Sequence, residues 1–263
     1  MKNLKPKKTD DSAFYVAAYE SGAEASALPT WACRHTNPAE LSVDYPVQKI
    51  RRYDIPSVPG AYHLSQVLTA EECQRLIALT ENLSYLEDAA VSLPRDIRHN
   101  DNVVWITDEQ TDDIIWQRVA KLAEQSLEIF NGCKPLGLNA RFRFYRYREG
   151  DFFKPHTDGA WPGSRVIDGQ LVANAYPDRY SQMTFLIYLN DDYEGGATQF
   201  LVSADNTAPA RHSDNVKAVD VKTPAGSVLC FPHGMHPLHC VHSSEPITKG
   251  VKYIIRTDML FEY

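Results

Sequence analysis

The first regular pattern along the chain is a set of apolar residues that recur every three or four positions after residue 69. They fall near one face of a helix and are Cys73, Leu76, Ile77 and Leu83. The preceding stretch Thr69-Ala70-Glu71-Glu72 is a capping box, in which the threonine and glutamate side chains each accept an otherwise unpaired backbone amide. The pattern therefore predicts a helix over residues 70–83.

A second stretch with helical spacing covers residues 112–130. Its apolar stripe consists of Trp116, Val119, Ala120, Ala123 and Leu127. The dipeptide Asn131-Gly132 supplies a stop, because both residues tolerate the left-handed conformation that ends many helices. We expect both apolar stripes to pack on the protein's own core rather than to form a groove for a partner.

After Gly137 the spacing changes from helical to alternating. Over residues 139–147 one face carries Asn139, Arg141, Arg143, Tyr145 and Tyr147, and the other carries Ala140, Phe142, Phe144 and Arg146. Such a strand can line a polar cavity on one side and pack its phenylalanines on the other. Further strand patterns cover residues 182–189, 197–202, 218–222, 227–231 and 251–261. Helices followed by many short strands predict an α+β chain with a barrel or jelly-roll core.

Residues 1–60 show weak periodicity and several prolines, so we expect a tail and an irregular arm, with one strand inside residues 47–55. The main domain is then predicted to cover residues 61–263, with a helical part at 61–136 and a jelly roll at 137–263. Two long segments interrupt the strands, at 159–180 and 203–216. Long loops in compact domains are often lids, and the first of these is the better lid candidate.

Composition narrows the class of protein. The net charge is -7 and 43% of residues are apolar, which suits a globular protein and argues against a partner with a phosphate backbone. The N-terminal lysines at positions 2, 5, 7 and 8 are followed by two aspartates, so a solvated tail is expected. The five cysteines are scattered, which argues against a disulfide framework. No apolar run is long enough for a membrane span. We expect a soluble, cytoplasmic protein without a nucleic-acid or membrane partner.

The candidate chemistry begins with His156-Thr157-Asp158. Residues at positions i and i+2 of a strand point the same way, so His156 and Asp158 can reach one ion. A second imidazole would complete the two-histidine, one-carboxylate set of non-haem Fe(II) oxygenases. Four histidines downstream recur at every third position: His233, His236, His239 and His242. A structural zinc site is an alternative use of these four, although the spacing alternates faces on a strand and most of them are expected on loops or the surface.

From about residue 67 to residue 261 the chain resembles the prolyl 4-hydroxylase-like branch of the Fe(II)/2-oxoglutarate-dependent oxygenases. The stretches that carry the resemblance lie at 147–158, 184–190, 195–200, 223–227 and 242–252. In that family the distal histidine is followed by proline after four residues and by a basic residue after about ten. Pro246 and Lys252 fit this pattern from His242, whereas the count from His239 is a poor match. The resemblance implies a double-stranded β-helix (jelly-roll, cupin-like) core with N-terminal helices packed on it.

The resemblance also implies a set of roles. His156, Asp158 and His242 would bind Fe(II) and form the catalytic centre. Lys252 would anchor the far carboxylate of 2-oxoglutarate, and Arg256 could be the anchor instead, share that role or bind the substrate. Tyr188 and Tyr147 would line the cosubstrate pocket. The implied reaction consumes O₂, releases succinate and CO₂ and hydroxylates an unactivated C–H bond, with ascorbate as a supporting reductant. Related halogenases have a small residue in place of Asp158, so its presence favours hydroxylation.

The substrate side is less constrained. Arg143 and Tyr145 share the face of Tyr147, and Arg143 indicates a carboxylate or phosphate on the substrate unless it forms an internal ion pair. Trp161 could cover an apolar or planar part. A small molecule and a peptide are both open as substrates, and the sequence predicts no oligomeric state. Two rival classes are a non-catalytic cupin-like metal-binding protein and a zinc hydrolase with Glu245 as its base.

Overall fold

The structure, a computed structural model, describes residues 13–90, 92–206, 208–211 and 215–262. The strands are β1 (Phe14–Glu20), β2 (Leu28–Cys33), β3 (Arg51–Asp54), β4 (Tyr62–Ser65), β5 (Arg98–His99), β6 (Asp101–Ile106), β7 (Pro135–Leu138), β8 (Arg141–Tyr147), β9 (Phe152–His156), β10 (Arg165–Ile167), β11 (Gln170–Val172), β12 (Arg179–Tyr188), β13 (Glu194–Gly195), β14 (Thr198–Ser203), β15 (Val216–Val221), β16 (Val228–Pro232), β17 (Val241–Ser244), β18 (Ile247–Lys249) and β19 (Lys252–Glu262). The helices are α1 (Ala70–Leu83) and α2 (Glu109–Ala123), with 3₁₀ segments at Val47–Lys49 and Glu124–Phe130. The predicted basic tail lies outside the described residues.

Two sheets face each other and make up most of the molecule. The major sheet has the order β1-β2-β6-β8-β19-β12-β16-β4-β3, with β7 also paired to β19. The minor sheet has the order β15-β14-β17-β9-β5. Because most neighbouring strands in both sheets are distant in sequence, the chain crosses between the sheets repeatedly. The predicted α+β fold with a double-stranded β-helix core is confirmed.

The major sheet has a separate apolar cluster on each face. Alternate residues of β8 show this, since Phe142 and Phe144 belong to one cluster and Tyr145 and Tyr147 to the other. The first cluster includes Leu76 of α1 and residues of α2, so the helices cover the outer face. The second cluster lies between the sheets. The two-faced pattern predicted for this strand is confirmed.

Both predicted helices are present, and both have a capping side chain. Thr69 accepts the amide of Glu72 at 3.1 Å, and the Glu72 carboxylate accepts the amide of Thr69 at 2.9 Å. The structure therefore contains the predicted capping box, and α1 has the predicted bounds. Helix α2 begins earlier than predicted because Asp108 caps it by accepting the amide of Thr111, and it passes into 3₁₀ geometry after Ala123.

The N-terminal part differs from the irregular arm that was expected. Strands β1 and β2 form an antiparallel hairpin, and β2 pairs in parallel with β6, where Thr30 lies beside Val104. Arg141 joins this hairpin to β8 through two hydrogen bonds to Glu20, at 2.9 and 3.0 Å. The pairing is long-range, so local periodicity did not reveal it. The boundary at residue 60 stays a prediction, although strands on both sides of it pair within the major sheet. The strand expected inside residues 47–55 is β3.

The segment 159–180, expected to be a lid, contains the hairpin β10–β11. Asp168 and Gly169 both have positive φ at its turn, which is the backbone of the tightest hairpin connections. Two hydrogen bonds from Arg165 to Asp112, at 2.8 and 2.9 Å, fix the hairpin on α2. The hairpin therefore packs on α2, whereas Trp161 near the start of the segment lies over the guanidinium of Arg143. The segment 203–216 is partly outside the described residues, and no helix among those described is long and apolar enough to cross a membrane.

Candidate metal centre and cosubstrate pocket

Three predicted ligands meet where the minor sheet faces the major sheet. Strands β9 and β17 are adjacent, and His156 lies directly opposite His242. Asp158 follows just beyond the end of β9. One oxygen of its carboxylate lies 3.8 Å from Nε2 of His156, and the other lies 3.7 Å from Nε2 of His242. Donor atoms bound to one ion at about 2.0–2.2 Å lie no more than about 4.4 Å apart, so these separations suit a shared metal ion.

The hydrogen bonds of the two imidazoles leave their Nε2 atoms free to bind metal. Nδ1 of His156 donates to the carbonyl oxygen of Lys154 at 2.8 Å, and Nδ1 of His242 donates to that of Cys240 at 3.2 Å. A carbonyl can only accept, so each Nδ1 carries the proton. Backbone contacts of this kind orient metal-binding histidines and fix their tautomer.

The ionisation states also suit a metal site. Burial, together with the charge of His242, lowers the pKa of His156 to about 3, and burial lowers that of His242. Burial by itself raises the pKa of Asp158, but the charge of Arg256 and the two imidazoles bring it well below the ordinary value. The group therefore offers two neutral imidazoles and one carboxylate, the forms that bind divalent metals.

A buried polar network holds the carboxylate ligand in place. Thr184 of β12 donates to Asp158 at 2.7 Å. Its hydroxyl also lies 2.8 Å from Nδ1 of His233, whose Nε2 is 2.9 Å from the hydroxyl of Ser181. His233 lies in the loop that follows β16, as expected for most of the four histidines, but it is buried rather than exposed. The spacing of the four histidines gave no signal for it, because the contact depends on the pairing of β12 with β16.

The other histidines of that run do not join the group. His236 is also buried and lies 2.7 Å from the carbonyl oxygen of Ile129. His239 lies beside Arg211 on an exposed part of the surface. Among the described residues, the only group of histidine, cysteine and acidic side chains with metal-binding spacing is His156, Asp158 and His242.

Lys252 is the second notable side chain of the cavity. It is 0% exposed, and its Nζ donates to the carbonyl oxygen of Gly196 at 2.6 Å and to the hydroxyl of Ser244 at 3.3 Å. Gly196 has a φ of +61°, and a Cβ there would lie 2.3 Å from Ile247, so a side chain would disturb this corner. Burial lowers the pKa of Lys252 to about 7, and both of its hydrogen-bond partners are neutral.

Two tyrosines complete this corner. The Nζ of Lys252 lies 5.4 Å from the ring centres of both Tyr147 and Tyr188. The hydroxyl of Tyr188 is 2.5 Å from that of Thr198. Burial raises the pKa of Tyr188 to about 12 and that of Tyr147 further, so both phenols stay protonated and can donate. The structure thus brings three of the four predicted cosubstrate residues together.

Arg256, the fourth, lies elsewhere. Its Nε is 3.3 Å from Asp158 and its terminal nitrogen is 3.0 Å from the buried Asp258. It faces the metal ligands and lies four residues from Lys252 along β19. The structure therefore separates the two cations that the sequence left as alternative anchors.

The predicted substrate residues line the wall of the cavity next to the metal group. Arg143 of β8 lies directly opposite Arg256 of β19, and its guanidinium is 5.3 Å from the ring centre of Trp161. Tyr145 follows on the same face and is covered by the guanidinium of Arg98 at 4.2 Å. Sequence reasoning missed Arg98, because its position depends on the pairing of β5 with β9.

Comparison with known proteins agrees with this geometry. Residues 142–257 match the family described as the 2OG-Fe(II) oxygenase superfamily. This segment of the chain is similar to a 2OG-Fe(II) oxygenase domain. The matched segment includes the three metal-binding candidates and Lys252, and the predicted Fe(II)- and 2-oxoglutarate-dependent enzyme class is confirmed. Fe(II), 2-oxoglutarate and O₂ are the reagents of this class. No curated protein matches the sequence.

Solved structures similar to the oxygenase domain include prolyl hydroxylases. The viral collagen prolyl hydroxylase of Paramecium Bursaria Chlorella virus-1 is 16% identical, with 80% of this chain and 99% of that chain covered and a TM-score of 0.48. A Pseudomonas putida prolyl-4-hydroxylase is 17% identical, with 76% and 91% covered and a TM-score of 0.47. A Trichoplax adhaerens prolyl hydroxylase in complex with a hypoxia inducible factor peptide is 16% identical, with 78% and 83% covered and a TM-score of 0.48. The assignment rests on the family match rather than on these structures.

Proposed function

We propose that His156, Asp158 and His242 bind Fe(II), and that Lys252 anchors the far carboxylate of 2-oxoglutarate between Tyr147 and Tyr188. The enzyme hydroxylates an unactivated C–H bond of a small-molecule or peptidyl substrate. Arg143, Tyr145 and Trp161 form the substrate side of the cavity. Asp158 occupies the position that a halide would need, which favours hydroxylation over halogenation.

The observation that carries the proposal is the buried ammonium of Lys252 beside the metal group, which has no anionic partner among the described residues. His242 and Ser244 point to the same side of β17, and their positions are about 6.6 Å apart along the strand. Since Ser244 contacts Lys252, the ammonium lies at about this distance from the metal group. A buried cation without an anionic partner is costly. A short dicarboxylate bound to the metal at one end supplies the missing anion at the other.

Each residue of the site then has a defined task. Fe(II) and 2-oxoglutarate, when bound, activate O₂ and supply the oxidising chemistry that releases succinate and CO₂. His156 and His242 present their Nε2 atoms because backbone carbonyls hold their Nδ1 protons. Thr184 keeps the Asp158 carboxylate oriented. Lys252 fixes the cosubstrate by a charge-assisted contact, and the surrounding tyrosines exclude water from it.

Two rival classes fit the site less well. A metal-binding protein without turnover has no use for a buried lysine paired only to neutral groups. A zinc hydrolase needs a base beside the metal, and Glu245 was the candidate. Glu245 instead contacts Ser243, which alternates with His242 along β17 and so faces away from the metal group.

The proposal is tested by cosubstrate binding and turnover in the full chain. With Fe(II), ascorbate and O₂, the protein should convert 2-oxoglutarate to succinate. Under argon with Mn(II), calorimetry should show 2-oxoglutarate binding that weakens about 30-fold or more in Lys252→Met, since truncating one member of a buried charge pair costs about 2–5 kcal/mol. Lys249→Met is the matched control, because this lysine is exposed and pairs with Glu194. Arg256→Gln should retain tighter 2-oxoglutarate binding than Lys252→Met. If 2-oxoglutarate neither binds nor yields succinate, the proposal fails.

A further inference from the structure

Arg143 is a buried cation whose role the metal and cosubstrate leave unexplained. It is 4% exposed, and its Nη1 has no hydrogen-bond partner. In the part of the chain that the structure describes, its guanidinium forms no ion pair. Burial and the neighbouring charge of Arg256 lower its pKa to about 10. The internal ion pair that the sequence left open as an alternative is therefore absent from the described residues.

Several other buried or half-buried arginines of this fold have carboxylate partners. The pairs are Arg118 with Glu72, Arg141 with Glu20, Arg146 with Glu81 and Asp101, Arg165 with Asp112, and Arg256 with Asp158 and Asp258. Arg141 makes the clearest contrast, because it precedes Arg143 by two residues on the same face of β8. A buried guanidinium with no carboxylate partner among the described residues, two positions from one that is paired, indicates that its anion comes from outside the chain.

The position of Arg143 puts that anion in the catalytic cavity. It is paired in register with Arg256, whose Nε lies 3.3 Å from the Asp158 carboxylate, and adjacent strands are about 4.8 Å apart. Trp161, three residues beyond Asp158, covers the guanidinium. Two hydrogen bonds fix its backbone to Ser181. The amide of Trp161 donates to the hydroxyl of Ser181 at 2.8 Å, and the amide of Ser181 donates to the carbonyl oxygen of Trp161 at 2.8 Å. Lys252 lies at the other end of β19's cavity-facing row, so the two cations serve different anions.

Arg98 extends the positive wall. It is buried, it covers the ring of Tyr145, and its hydrogen bonds go to the neutral amide side chains of Asn100 and Asn102. The wall formed by Arg143, Tyr145 and Arg98 thus holds two guanidinium groups without a carboxylate partner. The nearby carboxylates of Asp158 and Asp258 already contact Arg256.

We propose that the substrate of this oxygenase is an acid, and that Arg143, covered by Trp161, binds its carboxylate or phosphate group during the reaction. This inference rests on the proposed function and adds the substrate class to it. A planar guanidinium binds such oxyanions through two parallel hydrogen bonds, which fixes orientation as well as position. A substrate held at Arg143 presents the atoms next to its acidic group to the metal. A peptide lacking an acidic group near the reacting residue is not a substrate.

The binding test uses the full chain loaded with Mn(II) and saturating 2-oxoglutarate under argon, so that the cosubstrate site is already filled. The probes are phenylacetate, phenyl phosphate and the neutral phenylacetamide, measured by calorimetry. The two anions should bind more tightly than the amide, and Arg143→Met should weaken them about tenfold or more. Arg146→Gln is the matched control on the opposite face of β8, and it should leave anion binding unchanged. The ratio of the two anions identifies carboxylate or phosphate as the preferred group.

A stability test needs no ligand. Removing an unpaired buried charge relieves its desolvation cost, so Arg143→Met should raise the Tm of the ligand-free protein by at least about 2 °C. Arg141→Met should lower the Tm, because it leaves Glu20 without its partner. A structural role for Arg143 gives the opposite result, with both variants less stable than the parent.

The outcomes separate this inference from the proposed function. The inference is overturned if none of the anions binds, if phenylacetamide binds as tightly as phenylacetate, or if Arg143→Met leaves anion affinity unchanged. It is also overturned if Arg143→Met lowers the Tm as Arg141→Met does. In each case, binding of 2-oxoglutarate at Lys252 leaves the proposed function intact. Loss of that binding in the parent protein instead contradicts the proposed function itself.

Discussion

The two faces of strand β8 differ in character, because alternate residues of the strand are apolar and polar. The outer face carries Phe142 and Phe144, which pack with Trp105 and the helices in an apolar cluster. The cavity face carries Arg143, Tyr145 and Tyr147, which are equally buried but polar. The cation of the outer face, Arg146, is neutralised by Glu81 and Asp101. On the cavity face, no carboxylate of the described residues neutralises Arg143 or the facing Lys252 of β19.

The difference shows that burial has opposite effects on the free energy of folding at the two faces. Burial on the outer face removes apolar area from water and stabilises the fold. Burial on the cavity face desolvates cations, which costs free energy until an anion binds. Substitutions one residue apart on the same strand should therefore act on different quantities, namely unfolding free energy on one face and ligand affinity on the other.

The largest expected effect is on the outer face. Phe144→Ala should lower the free energy of unfolding by about 3–5 kcal/mol, because it removes a fully buried aromatic ring and leaves a cavity. Denaturant unfolding monitored by circular dichroism measures this. The folded variant should bind 2-oxoglutarate with nearly parental affinity. A large loss of affinity at unchanged stability would break the proposed division between the faces.

The next effect is on the metal centre. His242→Ala should weaken Mn(II) or Fe(II) binding by more than about 100-fold, the upper end of what loss of an outer-shell partner costs. Metal titration followed by calorimetry measures it. His239→Ala is the control, because His239 lies outside the group and should leave metal binding nearly unchanged. The reverse order of the two variants would show that the ligand assignment is wrong.

The smallest effect concerns pH. In the ligand-free protein the pKa of Lys252 is lowered to about 7, so above pH 7 the ammonium must first regain its proton to bind an anion. The Kd for 2-oxoglutarate should rise about tenfold per pH unit above pH 7 and level off below it. Stability of the ligand-free protein should rise over the same window, since the unfolded chain keeps its proton up to the ordinary pKa of 10.5. Lys252→Arg should remove the dependence, because arginine stays charged; a parental slope in that variant would assign the titration elsewhere.

Local pattern was sufficient for the elements that carry their own signals. The capping box and apolar spacing predicted α1 with its observed bounds, and alternation predicted β12, β14, β15, β16 and β19 to within a few residues. Strands β1 and β2 were not predicted, because their formation depends on pairing with β6 and on the contact between Glu20 and Arg141. Edge strands held by distant partners leave little trace in a short window of sequence.

The site divides in the same way. His156, Asp158, His242 and Lys252 were named from spacing and from the resemblance to an oxygenase family, and the structure brings them together. The sequence could not separate the roles of Lys252 and Arg256, because residues four apart on one strand point to the same side. The structure distinguishes them by their different neighbours. His233 and Arg98 had no sequence signal, since each reaches the site through the register of a neighbouring strand.

The direct pairing of His156 with His242 makes the centre sensitive to insertions in a position-dependent way. One residue added within β9 or β17 would turn every side chain beyond it to the opposite face and replace an imidazole by its neighbour. The same residue added at the Asp168-Gly169 turn would lengthen only the tip of a surface hairpin. Length variation among descendants of this chain should therefore accumulate at that tip, while the spacing inside the two histidine strands stays constant.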